Sequence, residues 1–265
     1  MKKFSKILCP YDFSKNAEES LLFALKMADN DTEITLLHII QLPYFIDPNG
    51  FTYYDVKSDE IRKTTEDALE QKLKAIRSLY PEYNIVYKIE LDNDPAEFIV
   101  NTQKKDGFDL IVMGTRGASG MKEILVGSNT ASLIHQTECP VLAVPEQTTF
   151  TGIKKIVFAT NMQQDDVNCL IKLIQLFGRN EETSITLLHI EDGHARDPEA
   201  ALQSWFHGAI LPVITYKNIK AESISETEIV KTLHEYLSVN KIDLLVTATR
   251  KRNFIERIFD RSITK

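Results

Sequence analysis

Residues 33–40 read EITLLHII, and residues 184–191 read SITLLHIE. Each is a short run dominated by Ile and Leu, the pattern of a strand buried on both faces of a sheet. The likeness extends outward in the same order. KILCPYDFS (6–14) has its counterpart in KIVFATNMQ (155–163), and FDLIVMGTRG (108–117) in IDLLVTATRK (242–251). Ordered repeats of this kind imply an internal duplication. The joint falls at PEQTTFTG (145–152), a polar stretch between two apolar runs. The expected domains are therefore 1–146 and 153–265.

In the first unit, runs rich in Ile, Val and Leu predict strands at 6–10, 33–39, 84–91, 109–113 and 141–144. Helical patterns fill the gaps at about 15–29, 56–79, 95–105 and 128–136. The long one carries Ile61, Thr65, Ala68, Leu69, Leu73, Ile76 and Tyr80 along one stripe. Asp94-Pro95-Ala96-Glu97 reads as a helix start with a capping box, and Ser225-Glu226-Thr227-Glu228 as its equivalent in the second unit. Alternating strands and helices with crossovers this long imply an α/β fold, a parallel sheet covered by helices on both faces. Ligands in such sheets bind beyond the carboxyl ends of the strands, where Asp12, Ile39 and Gly114 fall.

The chain has 265 residues, 43% of them hydrophobic and 26% charged, a globular composition. It contains no apolar run long enough to span a bilayer and no apolar signal-peptide core, so no membrane association and a cytoplasmic location are expected. Cys9, Cys139 and Cys169 are widely spaced, as reduced core thiols are. The net charge of −7 belongs to residues 1–146, with 16 basic against 23 acidic side chains; the remainder balances at 15 of each. Neither half has the positive field that nucleic-acid binding requires.

Residues 113–132, MGTRGASGMKEILVGSNTAS, carry the chemistry. Gly114 ends a strand, Gly117 follows shortly, and Gly127-Ser128-Asn129 leads into a helix. At Gly114 and Gly117 the missing Cβ permits positive φ and close approach of backbone N–H groups to an anion. A helix N-terminus with Ser or Asn as cap offers a phosphate seat. Asp12 is placed to hold ribose hydroxyls or a metal ion, and the backbone of Ile39 to meet an adenine edge. Turn glycines are also ordinary punctuation after strands. The stretch is neither a Walker loop nor a dinucleotide fingerprint.

The spacing G-x2-G-x9-G-[ST], met by Gly114, Gly117, Gly127 and Ser128, resembles the ATP-binding motif of the universal stress protein family. ILCPYDFS, LLHII and ECPVLAVP resemble that family's first, second and fifth strand segments. The resemblance implies two tandem Rossmann-like domains of strand order 3-2-1-4-5. It implies ATP or ADP as ligand, with Mg²⁺ reached through Asp12. Met113 and Gly114 would line the nucleotide, and Gly117, Gly127, Ser128 and Asn129 would hold phosphates. Arg116 is a further candidate for phosphate, or else a solvated loop residue. Tyr11 departs from the family's smaller residue and is expected to narrow the adenine pocket.

In the second copy Asp12 becomes Asn161, Gly114 becomes Ala248, Gly117 becomes Lys251 and Gly127 becomes Arg261; the serine remains as Ser262. Long side chains there fill a phosphate site, although Lys251, Arg252 and Arg261 are also candidates for binding an anion directly. After Ser262 the given chain lacks the last helix and strand of the first unit, which the family uses to pair subunits or units. Intramolecular pairing of the two domains or a homodimer is the expected assembly. His38 and His189 are expected to pack or hydrogen-bond at strand ends. His135, His194 and His207, with Asp192 and Asp197, match no metal-site spacing, and no nucleophile arrangement is visible. At most slow ATP hydrolysis or autophosphorylation is expected. The reading is a nucleotide-binding stress-response or signalling protein with an unidentified protein partner; the alternative is a nucleotide-independent interaction scaffold.

Overall fold

The computed structural model describes residues 4–42, 44–46, 52–54, 58–115, 127–178, 182–191 and 196–248. The chain divides into two compact units, Met1–Phe150 and Thr151–Lys265. The first unit runs β1 (Lys6–Pro10), α1 (Lys15–Met27), β2 (Glu33–Ile40), α2 (Ser58–Leu79), β3 (Asn84–Leu91), α3 (Pro95–Asp106), β4 (Leu110–Gly114), α4 (Ser128–Gln136) and β5 (Val141–Val144). A two-stranded antiparallel ribbon, Tyr44–Ile46 against Thr52–Tyr54, lies between β2 and α2 and has no counterpart in the sequence reading. The five strands form one parallel sheet of order β3-β2-β1-β4-β5.

Alternation along the strands sends successive side chains to opposite faces. Leu8, Leu37, Ile111 and Met113 share a buried cluster with Ala96, Ile99 and Val100 of α3 and Leu133 of α4. Ile7 and Cys9 take the opposite direction, the side on which α1 packs against β1, β4 and β5. Burial pushes the Cys9 thiol well above its usual range, which keeps it a protonated core group. The α2 stripe holds at Leu69, Leu73 and Ile76, all buried, whereas Ala68 is exposed. Asp94 caps α3 by accepting from the Glu97 N–H at 3.0 Å, with Pro95 in the first turn.

The second unit repeats the plan with β6 (Lys155–Ala159), α5 (Gln164–Phe177), β7 (Ser184–Glu191), α6 (Pro198–Trp205), β8 (Ile219–Ser225), α7 (Ile229–Asn240) and β9 (Leu244–Thr247). The order is β8-β7-β6-β9, all parallel, one strand shorter among the described residues. Phe158 anchors one face with Leu170 and Leu173 of α5, and Val157 the other with Leu233 of α7. After α6 the chain loosens into one π-helical turn, Phe206–Ile210, whose Phe206 and Ile210 join the Phe158 cluster, with Trp205 packed beside them. Ser225 to Glu228 does not form the expected capping box. Ser225 ends β8, and Glu228 precedes α7 without a side-chain cap. A reciprocal box is found at α5, between Gln163 and Asp166.

The duplication extends to polar detail. Asp109 Oδ2 accepts from the N–H groups of Ser5 (2.6 Å) and Lys6 (3.0 Å), and Asp243 Oδ2 from those of Lys154 (2.9 Å) and Lys155 (2.8 Å). The Lys6 ammonium donates to the Asp106 carbonyl and the Lys155 ammonium to the Asn240 carbonyl. These staples fasten the first strand of each unit to the helix end and strand start that follow it in the sheet. Removing either carboxylate (Asp109→Ala or Asp243→Ala) is expected to cost about 1–2 kcal/mol in a chemical-denaturation midpoint series, the worth of hydrogen bonds to a charged acceptor. Both lie at the amino ends of their strands, and Asp109 is at the end of its sheet opposite to the one that carries Gly114.

Candidate functional site

The carboxyl ends of β1, β2 and β4 gather Asp12, Ile39, Met113 and Gly114 at one edge of the sheet. Register explains what Ile39 offers. β1 pairs with β2 only from Lys6↔Glu33 to Pro10↔Leu37, and the Tyr11 N–H closes the ladder on the Leu37 carbonyl at 2.9 Å. The Ile40 carbonyl accepts from Asp92 on the β3 side. Backbone groups alternate sides along a strand, so the N–H and C=O of Ile39 face the β1 side beyond the point where β1 has ended. They are aimed at the mouth of the sheet.

Asp12 is exposed in the turn between β1 and α1, and its Oδ1 accepts the Ser14 N–H at 3.0 Å. Ser14 in turn caps α1, its hydroxyl oxygen taking the Ala17 N–H at 3.1 Å. His38 Nδ1 donates to the Tyr11 carbonyl at 2.7 Å, and His189 Nδ1 holds the Thr160 carbonyl at 2.9 Å in the second unit. Phe13 and Met162 both sit in the left-handed region, at φ 62° and 58°. This strained turn and its histidine clamp occur in both copies, and so they belong to the architecture rather than to a ligand. Tyr11 is tied to the helices that cover the sheet. It is buried, its hydroxyl donates to Glu18 of α1 at 3.4 Å, and Lys72 of α2 grips the same carboxylate at 2.6 Å. Burial, and after it the Glu18 charge, holds the Tyr11 hydroxyl above the usual phenol range.

At the other side of the mouth stands α4. Its N-cap is Gly127, at φ −54° and ψ 149°, with no side-chain cap; Ser128 and Asn129 lie exposed in the first turn. The expectation that Ser or Asn caps this helix is therefore corrected. α1 and α3 both carry a side-chain cap, and α4 does not. A helix start carries a partial positive charge, and the first turn of α4 contains no acid. The start of α4 is tied to the end of β4 by two hydrogen bonds. The Gly127 N–H donates to the Thr115 carbonyl at 2.7 Å, and the Thr130 hydroxyl donates to the Gly114 carbonyl at 3.1 Å. Arg116 and Gly117 lie outside the described residues.

Gly114 does not use its freedom of φ. A Cβ there would come within 2.4 Å of Asn16 Oδ1 and 2.5 Å of Asn16 Cγ. Asn16 is buried, and its Nδ2 donates to the Val144 carbonyl at 3.0 Å. The sequence reading missed Asn16 altogether; the one signal available was a polar residue two positions past a helix cap.

The second unit answers the same place differently. Asp166, buried where the first unit has Ala17, accepts from the Thr160 hydroxyl (2.8 Å) and from the N–H groups of Gln163 (3.0 Å) and Asn161 (3.3 Å). The unit's own carboxylate occupies the donors of its β6–α5 turn. Asp197 caps α6 by accepting from Ala200. Asp192, His194, Lys251, Arg252, Arg261 and Ser262 lie outside the described residues.

A parallel five-stranded sheet of order β3-β2-β1-β4-β5 with alternating helices places the first unit in the doubly wound α/β class. The profile of the Universal stress protein family matches residues 3–145, more than half of the chain, and the chain belongs to that family. Universal stress protein MJ0577 of Methanocaldococcus jannaschii is 31% identical over 155 residues, which span 53% of this chain and 94% of that protein. Universal stress protein YxiE of Bacillus subtilis is 28% identical over 149 residues, 53% of this chain and 99% of its own. The likeness of fold reaches both units. The crystal structure of a universal stress protein from Archaeoglobus fulgidus, 18% identical, superimposes with a TM-score of 0.69 over 98% of this chain and 94% of that one. Among the described residues no helix is long and apolar enough to cross a membrane.

Proposed function

We propose that the first unit binds ATP or ADP and that the chain acts as a nucleotide-binding stress-response or signalling protein. The observation that carries this reading is the uncapped start of α4 at Gly127, facing the same sheet edge as Asp12 and the outward backbone of Ile39. The residues fit the group. Ser128, Asn129 and the leading N–H groups of α4 suit phosphate oxygens, together with Gly117 and Arg116 from the intervening loop. Asp12 supplies a carboxylate for ribose hydroxyls or for the Mg²⁺ that accompanies the phosphates. The backbone of Ile39 reads the adenine edge, and Met113 and Gly114 form the floor. The bound phosphates would supply the charge whose presence a partner could sense. What the chain's own residues do is hold and orient.

The second unit is read as structural or as an interaction surface, because Asn161 stands there in place of Asp12 and the buried Asp166 takes up the Thr160 hydroxyl and the turn's N–H groups. The test is direct. The protein is purified without added nucleotide, denatured, and the supernatant assayed for adenine nucleotides by ion-pair chromatography. Release of ATP or ADP supports the reading. If nothing is released and added ATP fails to bind to the native protein, the reading is wrong and the scaffold alternative takes its place.

A further inference from the structure

Asn16 and Gly114 are interlocked, and the interlock joins the two halves of the proposed site. Asn16 belongs to α1, two residues past the Ser14 cap and four past Asp12. Its amide lies over the Cα of Gly114, where no Cβ fits, and reaches across to the Val144 carbonyl at 3.0 Å. The same carbonyl accepts the Thr115 N–H at 3.1 Å, and the Thr115 carbonyl accepts the Gly127 N–H. The Thr130 hydroxyl completes the frame on the Gly114 carbonyl. One buried amide therefore sits at the junction of α1, the end of β4 and the end of β5, and hydrogen bonds continue from there to the start of α4.

The second unit supplies the contrast within the same chain. Gly114 is replaced by Ala248, which packs against that unit's core, and Asn16 by Asp165, which is exposed. Where a Cβ stands at the strand end, the residue at the position of Asn16 is an exposed acid. The two positions change together, as a shared space requires.

We infer that Asn16 is a positioning residue of the nucleotide site, setting the phosphate-binding start of α4 in register with Asp12. The inference rests on the reading given under Proposed function. It separates two ligands. The adenine contact proposed is the backbone of Ile39 on β2, whereas the phosphate seat depends on the frame that Asn16 anchors at the ends of β4 and β5. Loss of the amide should weaken a phosphate-bearing ligand more than a bare nucleoside.

The experiment uses the full chain with Mg²⁺ and compares wild type, Asn16→Ala, Gly114→Ala and the double variant. ATP is titrated calorimetrically, adenosine by competition, and melting temperatures are recorded without ligand. Asn16→Ala is expected to weaken ATP at least about tenfold and adenosine less than about threefold, since charge-assisted contacts depend most on alignment. Gly114→Ala should lower the melting temperature through the clash with Asn16. The double variant should regain the melting temperature of Asn16→Ala, the methyl taking the space that the amide left, without regaining ATP affinity. Binding of ATP by Asn16→Ala within twofold of wild type overturns the inference, and so does equal weakening of both ligands or recovery of ATP affinity in the double variant. If the wild-type chain binds neither ligand, the reading of the site itself fails and this inference with it.

Discussion

Replacing Gly127 by Asp should make the first unit slightly more stable and nearly abolish its affinity for ATP. At φ −54° and ψ 149° the N-cap of α4 is ordinary backbone for an L-residue, and no side chain caps the helix there. A carboxylate at that position accepts one of the leading N–H groups and meets the positive end of the helix, together worth about 0.5–1 kcal/mol. It also places a negative charge in the seat proposed for phosphate. Two like charges a few ångströms apart at a partly buried site repel strongly enough to weaken binding about a hundredfold or more. Asp166 of the second unit shows at another helix start, that of α5, how a carboxylate takes up such donors: it is held by the Thr160 hydroxyl and two N–H groups. Thermal melts and ATP titration of the same preparation decide the matter. A variant that gains stability and keeps full affinity would show that the start of α4 is not the phosphate seat.

The strands and helices of the first unit were legible because burial on both faces leaves continuous apolar runs, and repetition of LLH set the frame. β1, β3 and β5 fall on the expected residues, and α4 begins where Ser128 placed it. What escaped was long-range. The reason for Gly114 is Asn16, on another element and far away in the sequence, and no periodicity announces such a contact. Glycine spacing was read as freedom of φ, whereas the structure uses absent Cβ atoms at Gly114 and an absent cap at Gly127. Asp166 was hidden for a related reason. An acid near a helix start reads as a solvated charge until the fold buries it against Thr160. Asp109 and Asp243 stand in the aligned repeats, but only the register of β1 and β6 gives them pairs of N–H groups to hold.

The second large effect concerns the division of labour between the units. Phe158 is fully buried at the centre of the second unit's core, among Leu170, Leu173, Phe206 and Ile210. Phe158→Ala removes an aromatic ring that the surrounding helices cannot collapse to replace, and should cost about 3–5 kcal/mol in that unit. The affinity for ATP should stay within about twofold of wild type at temperatures where the variant remains folded, because no proposed ligand group lies beyond residue 150. Denaturant titration followed by the fluorescence of Trp205, which packs on the same core, reports the stability. Loss of ATP binding in a variant that is still folded would mean that the second unit contributes to the site.

The most direct test of the whole account is the stoichiometry of an ATP titration of the intact chain in the presence of Mg²⁺. A site in the first unit and a second unit whose turn donors are taken up by its own Asp166 predict about one nucleotide per chain, held at the start of a single helix. Two equivalents would show that the second unit binds as well, and none would show that the glycines of residues 113–132 serve the turn alone.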